Sequence, residues 1–405
     1  MSNEHVEASL EATVAAPPPA EVALIDELLE MAGVRQEDER YLSVRTGLGI
    51  LFARLIDGAN APVQIDRILL DAMIVELTEK MSRQIDEILH HPTFQGLESA
   101  WRGLSFTVSR TDFRENIGIA FINVSKEDLL MDFEDAPEIT KCGLFRTVYS
   151  GEYGVFGGQP YGLLVANYEF EPSPRDMALL GQCAAIATMA HAPFIAAVGP
   201  KFFGLECFQT LPQLRDIASM FSGPQYTKWR AYRESDDARY VGLCLPRFLL
   251  RLPYGAETVR VKAFDYEESV LGEHDRYLWG NAAFAFASRV AASFARYRWC
   301  PNIIGPSGGG AVDDLPLHRY QAMGEIQSKI PTEIMVTERR EWELSELGFI
   351  SLTYRRETEG ACFFSANSTQ LPKTFGLSEE GKRAELNYRL GTQLPYLFVT
   401  CRLAH

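Results

Sequence analysis

Between Phe94 and Tyr168 the chain passes repeatedly from helical to strand-like patterning, and this alternation restricts the fold more than any other feature. A helical segment, Phe94–Leu104, precedes an apolar run, Ile117–Val124. A short acidic helix starts at Ser125, the glycine-rich stretch Tyr149–Gly158 follows, and a second apolar run spans Tyr161–Tyr168. Short apolar runs bounded by polar loops read as buried strands, and with helices between them they are the units of an α/β layer. The expected class is therefore α/β, of the mixed α+β kind with mixed sheets.

The next stretch extends the pattern. Ser173-Pro-Arg-Asp176 has serine at an N-cap, proline at the first helical position and an acid three residues on, which are the parts of a capping box. A helix over 174–190 and a strand over Pro193–Val198 complete a βαβ unit with the 161–168 strand. Further strands are expected at Tyr240–Leu245, Ile334–Val336 and Phe349–Tyr354, the last pairing with Ala361–Ala366 as a hairpin across Glu357–Gly360. Gly280–Trp299 reads as a core helix whose row Ala283, Ala287, Ala291 and Ala295 allows another backbone close approach. Trp342–Leu347 is a helix capped by Gly348, and a last helix begins near Arg383.

Ahead of Phe94 the signals are helical. Residues 1–20 end in Ala-Ala-Pro-Pro-Pro-Ala, hold few large apolar groups and read as a mobile acidic tail. Glu21–Met31, Leu42–Leu55 and Ile65–Leu89 carry apolar residues at helical spacing, and Pro92 stops the third. In that third helix Ile65, Leu69, Ala72, Leu77, Ile85 and Leu89 share a face. Residues 21–92 are thus expected to form a helical arm that docks a partner. The rest divides into an α/β body at 93–245, an irregular surface excursion at 246–277 and a second part of the body at 278–405.

Charge narrows the function. The net charge is −15, and residues 1–42 hold ten acids against Arg35 and Arg40. No basic face is visible for nucleic acid. The seven cysteines are scattered singly, which suits buried thiols in a reducing compartment better than a disulfide framework. No run of 18 apolar residues and no leader occurs, so a cytoplasmic protein without direct membrane insertion is expected.

Candidate chemistry is thin. Gly305-Pro-Ser-Gly-Gly-Gly310 is the best phosphate-loop candidate, but it leads to Ala311-Val-Asp-Asp314, with two acids and no lysine where a P-loop needs Lys-Ser or Lys-Thr. His90 and His91 are adjacent, cannot share a helix face, and lack a partner at metal-ligand spacing. Ser150-Gly-Glu-Tyr-Gly154 does not meet the G-x-S-x-G elbow. His191 suits a helix end, and Asp313–Asp314 and Asp236–Asp237 suit solvated loop ends. No catalytic residue, cofactor or metal is assigned. The competing class is a soluble α/β enzyme that uses the Gly305–Gly310 loop for a phosphate-bearing ligand, and a third is a scaffold of unrelated function.

A resemblance covers much of the chain. His90-His-Pro-Thr-Phe-Gln-Gly-Leu-Glu-Ser-Ala-Trp-Arg-Gly-Leu104 resembles the signature of the large sheath subunit of the type VI secretion system, the TssC or VipB family. Tyr149–Gly158, Lys329-Ile-Pro-Thr-Glu-Ile334, Glu346-Leu-Gly-Phe349, Phe363-Phe-Ser-Ala-Asn367 and Leu394-Pro-Tyr-Leu397 follow the same family in order. The resemblance implies a structural subunit that pairs with a small sheath subunit (TssB/VipA). Self-assembly then gives a helical polymer around the Hcp inner tube, docked on baseplate components and dismantled by a ClpV-type ATPase recruited mainly through the small subunit. Family chains continue past Arg402-Leu-Ala-His405 into a strand-donating tail, so weak polymerisation of this chain alone is a further expectation.

Overall fold

The computed structural model describes residues 25–26, 29–30, 34–38, 40–56, 67–153, 155–270, 273–322 and 324–371. The tail expected at 1–20, most of the Glu21–Met31 helix and the helix from Arg383 lie outside these residues. The chain forms two compact units, Met1–Met81 and Ser82–His405, with the division inside one helix. In the first unit, α1 (Tyr41–Ile56) is tied to the helical residues at 25–26. Asp26 accepts hydrogen bonds from the Tyr41 hydroxyl at 2.9 Å and from Arg45 Nε at 2.8 Å, beside buried Ile25 and Leu29. α2 (Arg67–Leu89) follows. Its expected apolar face is only half realised: Ala72 and Leu77 are exposed, while Ile85 and Leu89 are half-buried.

The second unit is built on a six-stranded sheet of order β1-β2-β3-β9-β10-β6. β1 (Leu164–Phe170), β2 (Phe194–Val198), β3 (Val241–Leu245) and β9 (Phe349–Arg355) run parallel. β10 (Gly360–Phe363) and β6 (Ala311–Val312) continue antiparallel. The hairpin β9–β10 and the βαβ unit β1–α5–β2 are as the sequence predicts. α3 (Pro92–Ser109) and α4 (Lys126–Asp135) precede β1, and α5 spans Pro174–Ala190. The cap of α5 is half a capping box. Ser173 Oγ accepts from the Asp176 N–H at 3.1 Å, but the Asp176 carboxylate accepts from the Glu171 N–H and from Lys126 Nζ, both at 2.7 Å.

Strand residues alternate between two apolar layers, as a doubly covered sheet demands. Phe194, Ala196, Val198, Val241, Leu243, Leu245 and Phe349 face a core shared with α5, α6 (Thr227–Glu234), α8 (Glu338–Glu346) and the aromatic set Phe202, Phe203, Phe221, Tyr226 and Trp229. Ile195, Cys244, Ile350, Leu352, Ala361 and Phe363 face α7 (Ala282–Tyr297). Ala283 and Ala287 of the predicted alanine row are buried, whereas Ala291 and Ala295 are half-buried. Two small antiparallel pairs lie apart from the main sheet: β4 (Phe248–Leu249) with β5 (Trp279–Gly280), and β7 (His318–Ala322) with β8 (Glu325–Lys329).

Two expected strands do not form. Ile334–Val336 is irregular although Ile334 and Val336 are buried, because their side chains fill the core beside Leu344 while Thr332 makes only a single bridge to Phe248. Ile117–Val124 is neither paired nor buried. β1 is an edge strand that pairs only with β2, and no strand among the described residues pairs with the run.

Candidate assembly interface

α3 is held to the body along one face by polar and small residues. His91 caps it, with Nδ1 accepting from the Thr93 N–H at 3.3 Å, and Pro92 takes the first helical position. Ser99 Oγ donates to the Trp279 carbonyl at 2.8 Å. Gly103 lies directly beneath the Phe284 ring, where a side chain would collide with it. Phe106 packs on Phe248, ring centres 5.0 Å apart.

A buried ion network clamps the same helix. Glu98 accepts from Arg102 Nε at 2.6 Å and from Arg251 Nε at 2.9 Å. Arg251 also grips Glu268 with two bonds of 2.6 and 3.0 Å, and Glu268 accepts from the Tyr254 N–H at 2.9 Å. His90 Nε2 lies 3.2 Å from Glu268. Burial works against the charge of Arg251, but Glu268 and Glu98 outweigh it and hold its pKa above the usual value. A second network begins at Arg247, which makes a two-bond contact with Glu333 at 2.8 and 2.7 Å. Lys329 Nζ donates to His274 Nδ1 at 2.8 Å, which leaves Nε2 as the protonated nitrogen that donates to Glu333 at 3.2 Å. Burial pushes Glu333 up, and the bonds from Arg247 and His274 outweigh it and hold the carboxyl below its ordinary value.

Between the first turns of α3, the second face of β1 and the Trp279–Asn281 segment lies a cleft of about 450 Å³. Gln95, Ser99, Asn167, Glu169, Arg247 and Asp275 line it. Burial raises the pKa of Glu169, against the pull of Arg247. The arrangement does not make a nucleophile: Ser99 Oγ is spent on a carbonyl, and no base is bonded to it.

The weighed residues fall elsewhere. In the Gly305–Gly310 loop, the Gly305 N–H donates to Phe363 O at 2.7 Å and the Gly310 N–H to Gly305 O at 2.9 Å, so both serve a packing turn leading into β6. Asp313 and Asp314 present their carbonyls to Arg110. His191 is the left-handed C-cap of α5, with Nδ1 3.2 Å from the Tyr240 hydroxyl. Ser150 ends a π-helical turn over Arg146–Ser150, and Asp237 opens a short 3-10 turn. Among the described residues no three His, Cys, Asp or Glu side chains gather as a metal set, and no helix is long and apolar enough to cross a membrane.

Two exposed apolar features remain. The outer face of α3 carries Phe94, Leu97, Trp101 and Val108, and the Ile117–Val124 run exposes Ile119, Phe121 and Ile122. Trp101 and Phe121 meet edge to face, ring centres 6.2 Å apart, so the two form one surface. Surfaces of this kind mark contacts with other macromolecules. A family profile described as EvpB/VC_A0108, tail sheath N-terminal domain, matches residues 71–370. The chain belongs to the VipB family of tail-sheath proteins. It is 42% identical over 340 residues to the type VI secretion system sheath protein TssC1 of Pseudomonas aeruginosa, covering 83% of this chain and 68% of that relative. In this sheath protein the family match takes in α3, the ion networks and the whole six-stranded sheet. Sequence reasoning missed the Arg251–Glu268–Glu98 network because its members are scattered, Glu98 lying 153 residues from Arg251. It took 246–277 for a surface excursion, whereas Arg251 and Glu268 within it are buried. It also missed the β7–β8 hairpin, whose residues His318–Lys329 lack a run of β-branched residues.

Proposed function

We propose that this chain is the large subunit of a type VI secretion contractile sheath, a structural protein and not an enzyme. It pairs in the cytoplasm with a small sheath subunit, and the pairs polymerise helically around an inner tube that contraction drives outward. The family match over residues 71–370 carries this reading. The body supports it: a rigid doubly covered sheet, clamped by buried ion pairs, presents an apolar surface on α3 and 117–124. The enzyme alternative has less support, because in its loop Gly305 and Gly310 have already committed their N–H groups. The test is co-expression of the full chain with the small sheath subunit encoded beside it, followed by affinity capture and electron microscopy. Co-purification and helical tubes, or ordered fragments of them, are expected. Failure to retain the small subunit overturns the reading, and micromolar nucleotide binding lost in Gly308→Ala would favour the enzyme.

A further inference from the structure

Among the described residues, the main chain of 117–124 finds almost no hydrogen-bond partner. The chain runs from Ile117 to Ser125 without helix, turn or bend, yet its N–H groups donate to no described residue. Of the carbonyls in the run, that of Val124 is the one engaged among the described residues, by the Tyr168 hydroxyl at 2.8 Å. Among the described residues, β1 is an edge of the main sheet and pairs only with β2. Ile117 and Val124 at its ends pack against the two cores, while Ile119, Phe121 and Ile122 between them are exposed, Phe121 at 64% and Ile122 at 50%, and through Trp101 they join the outer stripe of α3.

The chemistry of this surface specifies its occupant. Unused N–H and C=O groups in sequence along a straight segment require another extended main chain, since a helix has already spent its own. Several flanking charges are paired within the chain: Arg114 to Asp112, Glu115 to Arg298 and Lys126 to Asp176. The exposed aromatic and aliphatic groups amount to on the order of 500 Å², most of the ~800 Å² that one partner contributes to a stable interface. A bare, long, apolar edge invites aggregation. It must therefore be covered when the building block first forms, before any lattice contact exists.

We infer that residues 117–124 form a β-strand only in the sheath heterodimer, by pairing with an extended apolar segment of the small subunit, whose side chains pack on Phe121, Trp101 and Leu97. This rests on the heterodimer reading above. The test is hydrogen–deuterium exchange of the full chain, alone and in complex with the small subunit, with Phe121→Asp, Ile122→Pro and a distant control, Val259→Asp. The amides of 117–124 are expected to exchange at open-chain rates alone and at least a hundredfold slower in the complex. Phe121→Asp and Ile122→Pro should keep the wild-type melting temperature, because the run makes so few bonds in the chain, and should lower capture of the small subunit at least tenfold. Val259→Asp should leave capture within twofold. Should the isolated chain be insoluble, the exchange of the complex alone decides. Capture with 117–124 still exchanging freely refutes this inference and leaves the sheath reading intact; no capture refutes both. Protection of 117–124 in the isolated chain, with doubled mass or without, assigns the edge to a second copy or to the chain itself and overturns the inference.

Discussion

Glu169 and Glu268 show how differently one residue type behaves in two buried settings. Glu268 is boxed in by Arg251, His90 and the Tyr254 N–H, so its charge is compensated. Replacing it by alanine leaves Arg251 buried with Glu98 alone, and Glu268→Ala is expected to cost about 3–5 kcal/mol, read as a lower midpoint in urea unfolding. Glu169 has no such pairing, and burial raises its pKa above the ordinary 4.5. The sign follows from linkage: a carboxyl with a raised folded pKa favours its protonated form, so the fold is penalised above that pKa and the penalty fades as pH falls through it. Glu169→Gln should therefore raise the melting temperature at pH 7.5, and the gain should vanish toward pH 4. An equal gain at both values would place the effect in packing and not in charge. Neither behaviour is legible in the sequence, where both are glutamates in mixed surroundings.

At the scale of elements, the contact of α3 with α7 decides where the surface helix sits. Gly103 meets the Phe284 ring with no room for a β-carbon, and Ala283 and Ala287 of α7 are buried beside the sheet. Both sites are closed to larger groups, so Gly103→Val and Ala287→Leu are each expected to lower stability by roughly 1–3 kcal/mol in chemical unfolding. Gly103→Val should in addition reduce capture of the small subunit, because it displaces Trp101 and Leu97, whereas Ala287→Leu should not. Equal effects on capture would show that position along α3 does not matter to the partner. The α5 helix was readable to the residue because its stop and start signals are local: Ser173, Pro174 and the turn at His191. Ile117–Val124 misled for the opposite reason. Its composition is that of a buried strand, but strand formation needs a partner edge, which local sequence does not supply.

For the whole molecule, cysteine accessibility reports on the integrity of both cores. Cys142, Cys183, Cys244, Cys300 and Cys362 are buried and Cys207 is half-buried. Burial pushes the thiols of Cys183 and Cys300 up to about 12 and that of Cys362 to about 11, well away from the reactive thiolate. With Cys401 replaced by serine, a thiol reagent at pH 8 should titrate one fast group per native chain, lost in Cys207→Ser, and the other five only on unfolding. More than one fast thiol in the native chain would show that a core is open. By itself the sequence determined the α/β class, the βαβ unit, the β9–β10 hairpin, the caps of α5 and the glycine that ends α8, though not the start of α8 on Thr337. These rest on period, short-range capping chemistry and composition, all local to a few residues. Only the tertiary structure decided that Glu268 is buried between arginine and histidine, that Gly305 and Gly310 spend their N–H groups on packing, and that Ile119, Phe121 and Ile122 stand exposed beside α3. Those outcomes depend on which distant residues share a neighbourhood, and proximity across more than a hundred residues leaves no periodic trace in the chain.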